Sequence, residues 1–221
     1  MLSPPNRGFA NRFVMLVLVA AVAAGLGLVA AQRFFNPNAP AAVIAGPPLS
    51  AVRLITPARV LSGYQLRRAD GSVLTPATLR GHWTVVFLGF TQCPDVCPTT
   101  LAELAQAQKS WQSIPAVVRP RVLFVSIDPE RDTLAKTGEY AAFFHADTIA
   151  ATAAPAALEN FAQVMGLVYL KVPTQDGSYT MDHSATMVVL DPQGRQAGLI
   201  RPPFDGQAIA ADLKLLAGQS R

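Results

Sequence analysis

Two cysteines, Cys93 and Cys97, are the residues of this chain best suited to metal or redox chemistry. They are its only cysteines, and three residues separate them. At that spacing, a helical or turn-like segment places both sulfurs on one side. Two thiolates so placed can bind one soft ion, Cu(I) or Zn(II), or oxidise to a disulfide. The pair therefore predicts a metal site, a redox site or both.

The position of the pair along the chain supports this interpretation. An apolar run at Trp83–Phe90 predicts a buried central strand, and Pro98–Trp111 reads as an amphipathic helix. The cysteines lie between the two, where open α/β sheets bind ligands. Because a helix N-terminus favours negative charge, we expect a lowered pKa for the Cys97 thiol. A purely structural disulfide is disfavoured, since closing so short a loop stabilises a protein little.

The elements that would position the cysteines alternate between strands and helices. This alternation favours an α/β fold with a central mixed sheet and helices on both faces. A hairpin is predicted at Tyr64–Leu74, around Ala69-Asp70-Gly71. Further strands are predicted at Val122–Ile127, Leu167–Val172, Ala185–Leu190 and Arg195–Ile200, and further helices at Thr133–His145, Pro155–Met165 and from a cap at Asp205 to near Gly218.

The N-terminal part of the chain predicts a membrane anchor. Residues 13–31 carry no charge, and about 20 apolar residues cross a bilayer core. Arg7 and Arg12 precede this segment and only Arg33 follows closely, so residues 1–12 should stay in the cytoplasm. The alternative is a signal peptide cleaved after Val29-Ala30-Ala31, which leaves the rest of the chain in the same exported compartment.

Beyond the anchor, composition separates a linker from a domain. Residues 32–60 are rich in proline and alanine and predict an exposed tether. Residues 61–221 are then predicted to form the folded domain. The net charge of +4 is dispersed along the chain, whereas nucleic-acid binding requires a clustered basic face, so no nucleic-acid partner is expected.

Four sequence blocks resemble the Sco/SenC family in their order along the chain. They are Gly89–Pro98 (GFTQCPDVCP), Val125–Asp132 (VSIDPERD), Met181–Ser184 (MDHS) and Asp191–Arg195 (DPQGR). The similarity runs from about residue 60 to residue 217, and the anchor and tether match the family's layout.

The resemblance implies a thioredoxin-like copper protein that helps deliver copper to the dinuclear CuA centre of cytochrome c oxidase. It also implies that Cys93, Cys97 and His183 are the copper ligands and that the cysteines form a redox-active disulfide. Many members have His where this chain has Gln92, but that position is not one of the three ligands. We expect His183 at the end of a long loop that folds over the cysteines.

The donor set suits copper better than zinc. Two thiolates and one imidazole are enough for Cu(I), whereas a structural zinc site normally has four ligands. The residues leave open whether Cu(I), Cu(II) or both are bound. The other histidines are predicted to have structural roles, His82 at the surface or a strand edge and His145 at a helix end.

Several carboxylates are candidates for supporting roles. Asp95 lies between the cysteines, Asp128 follows the second buried strand and Asp182 precedes His183. Asp95 and Asp128 could support the ligands from outside or dock a partner, whereas Asp182 could orient the His183 ring or tune its basicity. Asp132 stands before Thr133 and is interpreted as a helix N-cap.

The resulting hypothesis is a metallochaperone in the inner membrane, with its domain in the periplasm. A thioredoxin-like reductant would open the disulfide, an upstream copper carrier would load the site, and the CuA subunit of the oxidase would receive the ion. A shared membrane raises the effective concentrations of donor and acceptor. The alternative is a thiol–disulfide oxidoreductase that reduces the acceptor's cysteines, an interpretation that leaves His183 without a role.

Overall fold

The structure is a computed structural model that describes residues 7–35 and 48–219, and the chain divides into two compact units after Gly46. In the first unit, helix α1 spans Arg7–Phe35 and includes residues 13–31 of the predicted anchor. Within the described residues, no helix is both long enough and apolar enough to cross a membrane.

The described part of the second unit contains ten strands and four α-helices. The strands are β1 (Val52–Arg59), β2 (Leu66–Arg68), β3 (Val73–Leu74), β4 (Thr84–Gly89), β5 (Arg121–Ser126), β6 (Ile149–Thr152), β7 (Tyr169–Pro173), β8 (Tyr179–His183), β9 (Met187–Leu190) and β10 (Gln196–Ile200). The helices are α2 (Val96–Trp111), α3 (Leu134–Phe144), α4 (Pro155–Met165) and α5 (Gly206–Gln219).

Eight of these strands form one mixed sheet in the order β1-β10-β9-β4-β5-β6-β2-β3. The β4–β5 and β5–β6 pairs are parallel, and the other neighbours are antiparallel. All residues of β4 and β9 are buried, which requires cover on both faces of the sheet. β7 and β8 pair with each other as a separate hairpin. The predicted α/β class and the buried central strand are confirmed.

The strand β1 corrects the predicted tether. Residues 52–59 pair antiparallel with β10, and the Asp212 carboxylate accepts hydrogen bonds from the backbone N–H groups of Ser50, Ala51 and Val52. The segment looked like linker because it is an edge strand with mostly exposed side chains and a proline. The compact domain therefore begins near Pro47, and residues 36–47 of the predicted tether lie outside the described residues.

Besides β1, two further strands, β6 and β8, are not predicted from the sequence. β6 reads IAAT, and its alanines have a weak intrinsic preference for strands. β8 reads YTMDH, and the polar residues that interrupt its apolar pattern favour a loop. The prediction that His183 lies at the end of a long loop is therefore wrong, because His183 is the last residue of β8.

Candidate metal centre

The two cysteines lie in the turn that joins β4 to α2. The Cys93 N–H donates to the Phe90 carbonyl (3.3 Å), and Cys97 lies in the first turn of α2. Cys97 is fully buried, whereas Cys93 is half-buried, and both are free thiols. The Cys97 N–H donates to Cys93 Sγ (3.3 Å). The first turn of α2 thus holds one sulfur beneath the surface and the other at its edge.

His183 approaches the cysteines from the hairpin. Its Nε2 atom lies 3.7 Å from Cys97 Sγ, and its Nδ1 atom lies 3.1 Å from the Ser184 carbonyl oxygen. A carbonyl oxygen can only accept, so Nδ1 carries the proton and Nε2 presents its lone pair to the sulfur. Phe87 and Phe90 meet the imidazole edge-to-face, with ring centroids 6.1 Å and 6.3 Å away. These contacts fix the plane of the ring.

The distance between Cys97 Sγ and His183 Nε2 suits a shared metal ion. With the bond lengths typical of zinc sites, about 2.3 Å to sulfur and about 2.0 Å to nitrogen, a 3.7 Å separation would give an angle near 120° at a bound metal ion. That is the angle of a trigonal site with room for one more ligand, and Cys93, whose side chain contacts the Cys97 thiol, is the candidate for it. Among the described residues, no three or more His, Cys, Asp or Glu side chains already converge around a metal position.

The electrostatics of the site differ from the prediction at Cys97. Burial raises the pKa of the Cys97 thiol, and the neighbouring Cys93 thiol and the Asp132 charge raise it further. The predicted lowering is wrong because loss of hydration outweighs the helix N-terminus. Burial also lowers the pKa of His183, so the imidazole is neutral at pH 7. A metal ion must therefore displace a proton from Cys97 but not from His183.

Gly89 makes room for the Cys97 sulfur. A Cβ atom at this position would lie 3.0 Å from Cys97 Sγ and 2.9 Å from Cε2 of Phe124. Both distances are below normal contact, so a larger residue would push the sulfur or the ring away. A glycine within a buried strand run is the sequence signal for such a close approach.

Asp132 is a functional residue that the sequence interpretation missed. Its buried carboxylate accepts hydrogen bonds from the Thr91 N–H (2.8 Å), the Thr91 hydroxyl and the Ser126 hydroxyl (2.6 Å). Nζ of Lys136 lies 3.4 Å from Oδ1 of Asp132. The prediction that Asp132 caps α3 is wrong, because Thr133 is the cap and accepts from the Lys136 N–H. Asp132 instead holds the turn that carries the cysteines.

Asp128 holds the hairpin that carries His183. It is 2% exposed, accepts from the Tyr179 hydroxyl (2.9 Å) and pairs with the Arg131 guanidinium. Arg131 also donates to the Tyr179 carbonyl (2.9 Å), and its guanidinium carbon lies 3.7 Å from the centre of the Tyr179 ring. Asp128 therefore acts on the hairpin and not on the cysteines. No local sequence signal links Tyr179 to residues about fifty positions earlier.

The other predicted carboxylates lie at the surface. Asp95 is exposed at the start of α2 and makes no capping hydrogen bond with its side chain. Asp182 is exposed on β8, and its charge favours the protonated form of His183, opposing the effect of burial. The structure does not bring either residue to the cysteines.

The two remaining histidines have structural roles, as predicted. The predicted location of His82, at the surface or at a strand edge, is wrong. His82 is 8% exposed, and its Nδ1 atom lies 2.9 Å from the Arg119 carbonyl oxygen, so it is neither a surface nor an edge residue. His145 ends α3, as predicted. Neither ring belongs to the cysteine site.

Known proteins share both the sequence and the fold. The family model described as SCO1/SenC matches residues 53–218. The chain is 37% identical over 131 residues to the mitochondrial SCO1 homolog 1 of Arabidopsis thaliana and 33% identical over 132 residues to the mitochondrial SCO2 homolog of Bos taurus. Each match covers 59% of this chain, but only 39% of the Arabidopsis protein and 50% of the bovine protein.

A solved structure extends this likeness to three dimensions. The structure of Bradyrhizobium japonicum ScoI with copper bound matches at 34% identity with a TM-score of 0.64. The match covers 71% of this chain and 99% of the Bradyrhizobium chain. It confirms the predicted α/β, thioredoxin-like fold of the domain.

Proposed function

The chain belongs to the SCO1/SenC family, and from this premise we propose that it is a copper chaperone that delivers copper to the CuA centre of cytochrome c oxidase. Its ligands would be Cys93, Cys97 and His183. The observation that carries the proposal is the 3.7 Å separation between Cys97 Sγ and His183 Nε2, at a site with two soft sulfur donors. The copper bound to Bradyrhizobium ScoI supports the choice of metal.

The burial of the ligands suggests an order of capture. Cys93 is half-buried and meets an incoming copper complex first. Transfer of the ion inward then requires the Cys97 thiol to give up its proton. The neutral His183 imidazole supplies the third ligand through Nε2. Release to an acceptor follows the reverse order by ligand exchange, since Cys93 remains accessible to the acceptor's own donors.

The same sulfurs make loading dependent on redox state. A Cys93–Cys97 disulfide takes up two electrons and two protons when it is reduced, and the sulfur–sulfur bond breaks to give two thiols. Only the reduced pair supplies two thiolates to copper. We propose that a thioredoxin-like protein supplies these electrons before an upstream carrier loads the ion.

The location of the protein stays a prediction. We propose that the apolar residues 13–31 anchor the chain in the inner membrane, with residues 1–12 in the cytoplasm and the domain in the periplasm. Membrane attachment would keep the copper site near a membrane-bound oxidase. The CuA subunit is the proposed recipient.

One observation also fits thiol–disulfide exchange. Cys93 is half-buried beside a buried partner thiol, and its sulfur accepts from the N–H of Cys97 at the start of α2. This arrangement suits an oxidoreductase in which Cys93 attacks and Cys97 resolves. It gives His183 no role, so a His183→Ala variant that reduces a disulfide substrate at the parent's rate would favour this function.

A copper titration of the reduced full-length chain tests the chaperone proposal. We expect one tightly bound Cu(I) per chain, because the described domain offers a single site of this composition. Cys93→Ser and Cys97→Ser should each lose tight binding, and His145→Ala serves as the control because that ring lies outside the site. Tight binding that survives both cysteine substitutions would refute the site assignment.

A further inference from the structure

A cavity of about 380 Å³ lies at the other end of the sheet from the cysteines. β5 begins at Arg121, beside Thr84 of β4, and ends at Ser126, beside Gly89. These five residue steps correspond to about 17 Å along the strand. The cavity is therefore separate from the candidate metal centre. Its walls include Arg68, Gln108, Trp111, Arg119, Arg121 and Ile149.

One of the three arginines in the cavity has a structural role. The Arg119 guanidinium donates to the Ile114 carbonyl (3.1 Å) and to both the carbonyl and the side-chain oxygen of Gln112 (3.1 Å and 2.9 Å). It also lies 3.9 Å from the Asp147 carboxylate. Arg119 thus holds the loop before β5 and closes one side of the cavity.

Neither of the other two guanidiniums forms an ion pair with a described residue, although the charge of Arg68 helps to lower the pKa of the exposed Asp70 carboxylate. Among the described residues, no carboxylate lies within 4.0 Å of Arg68 or Arg121, and the Nε atom of Arg68 is buried without a hydrogen-bond acceptor. Asp147 also lines the cavity, but its carboxylate accepts from Gln112 and faces Arg119, and the Asp70 carboxylate accepts from Ser72. Burial and the charge of Arg68 lower the pKa of Arg121. Two half-buried cations that repel each other are costly to fold unless an anion joins them.

We propose that Arg68 and Arg121 form a binding site for a phosphate group, free or in a phospholipid headgroup. A guanidinium presents paired N–H donors that match the oxygens of a phosphate, and two guanidiniums together can balance the single charge of a phosphodiester headgroup or the double charge of a free phosphate. The cavity volume falls in the range of small-molecule sites, so it holds more than a chloride ion. The buried Nε–H of Arg68 gains its missing acceptor when the anion binds.

Equilibrium dialysis of the full-length chain in a neutral detergent, against labelled inorganic phosphate and pyrophosphate, tests this site. We expect one anion per chain and at least tenfold weaker binding in Arg68→Gln and in Arg121→Gln. Arg67→Gln is the matched control, because Arg67 precedes Arg68 on β2, faces the opposite side and is exposed. Copper binding should not change in any of these variants, so failure here is distinguishable from failure of the proposed function.

Two lipid arms identify the source of the phosphate. If dihexanoyl phosphatidylglycerol competes with pyrophosphate and dihexanoyl phosphatidylcholine does not, the site binds an anionic lipid headgroup. Competition by neither lipid would assign it to a free phosphate compound. Binding of none of these anions, or equal binding by the parent and both glutamine variants, would overturn the proposal.

Protection of the parent chain from chemical modification gives a measurement that does not depend on how the variants fold. Phenylglyoxal modifies arginines, and peptide mass spectrometry locates each adduct. We expect pyrophosphate to slow modification of Arg68 and Arg121 at least fivefold and to leave Arg67 unaffected. Equal rates with and without pyrophosphate would also overturn the proposal.

Discussion

The hydroxyl of Tyr179 donates a 2.9 Å hydrogen bond to the buried carboxylate of Asp128, and this bond joins the hairpin that carries His183 to the end of β5. Removing the hydroxyl by Tyr179→Phe loses a bond to a charged group, worth about 1.5–3 kcal/mol. Because the hairpin positions His183, we expect copper affinity to fall about tenfold with the cysteines intact. Competition with a Cu(I) chelator measures this change.

Tyr64→Phe is the control for that substitution. The Tyr64 hydroxyl is buried and has no hydrogen-bond partner among the described residues, so its removal should leave copper affinity unchanged. Equal affinities of the parent and Tyr179→Phe would show that this bond does not position His183.

The small size of Gly89 gives a second prediction. Gly89→Ala would place a Cβ atom 3.0 Å from Cys97 Sγ and 2.9 Å from the Phe124 ring. We expect a loss of about 1–3 kcal/mol in the free energy of unfolding, as is typical of overpacked cores, and weaker copper binding. Denaturant unfolding and copper competition measure the two effects. Gly218→Ala is the control, since a Cβ there meets nothing within 4 Å, and an equal result for both variants would contradict the prediction.

The network around Asp132 gives a third prediction. In Asp132→Asn, one carboxylate oxygen becomes an NH₂ group that cannot accept from Thr91 or Ser126. We expect about 2–3 kcal/mol less stability, because buried donors lose a charged acceptor. Thermal unfolding measures the loss. Asp205→Asn should be nearly neutral, since Asp205 caps α5 through the Gln207 N–H and asparagine caps equally well. An Asp132→Asn variant as stable as the parent would show that the Asp132 carboxylate does not hold the cysteine turn.

The raised pKa of the Cys97 thiol gives a fourth prediction, on pH dependence. Below that raised pKa the free site keeps its proton, and copper must displace it. Each unit of rising pH therefore strengthens binding about tenfold for each proton released. Because burial lowers the pKa of His183, the imidazole adds no proton release above about pH 6.5.

We expect copper affinity to rise at least tenfold between pH 7 and pH 8, and the slope to be unchanged in His183→Ala. Chelator competition at several pH values measures it. A flat profile would mean that Cys97 is already a thiolate in the free protein.

Local sequence signals were enough for the cysteine turn and its flanking elements. The apolar run of β4 and the proline in the first turn of α2 predict a strand and a helix without help from distant residues. The signal of Asp132 was ambiguous, because an aspartate before Thr133 resembles a cap and its true partner, Thr91, lies 41 positions earlier. The strand β8 was missed because tertiary contacts through Tyr179 stabilise it. The predicted lowering of the Cys97 thiol pKa was wrong, because the burial that raises it cannot be read from the spacing of two cysteines.

The most direct test of the metal centre counts the atoms bound to copper. X-ray absorption at the copper K edge should show two sulfur ligands and one imidazole nitrogen in the reduced, copper-loaded parent. His183→Ala should lose the imidazole scattering and keep both sulfurs, while His145→Ala should match the parent. A parent spectrum with no imidazole contribution, or one unchanged in His183→Ala, would contradict the account.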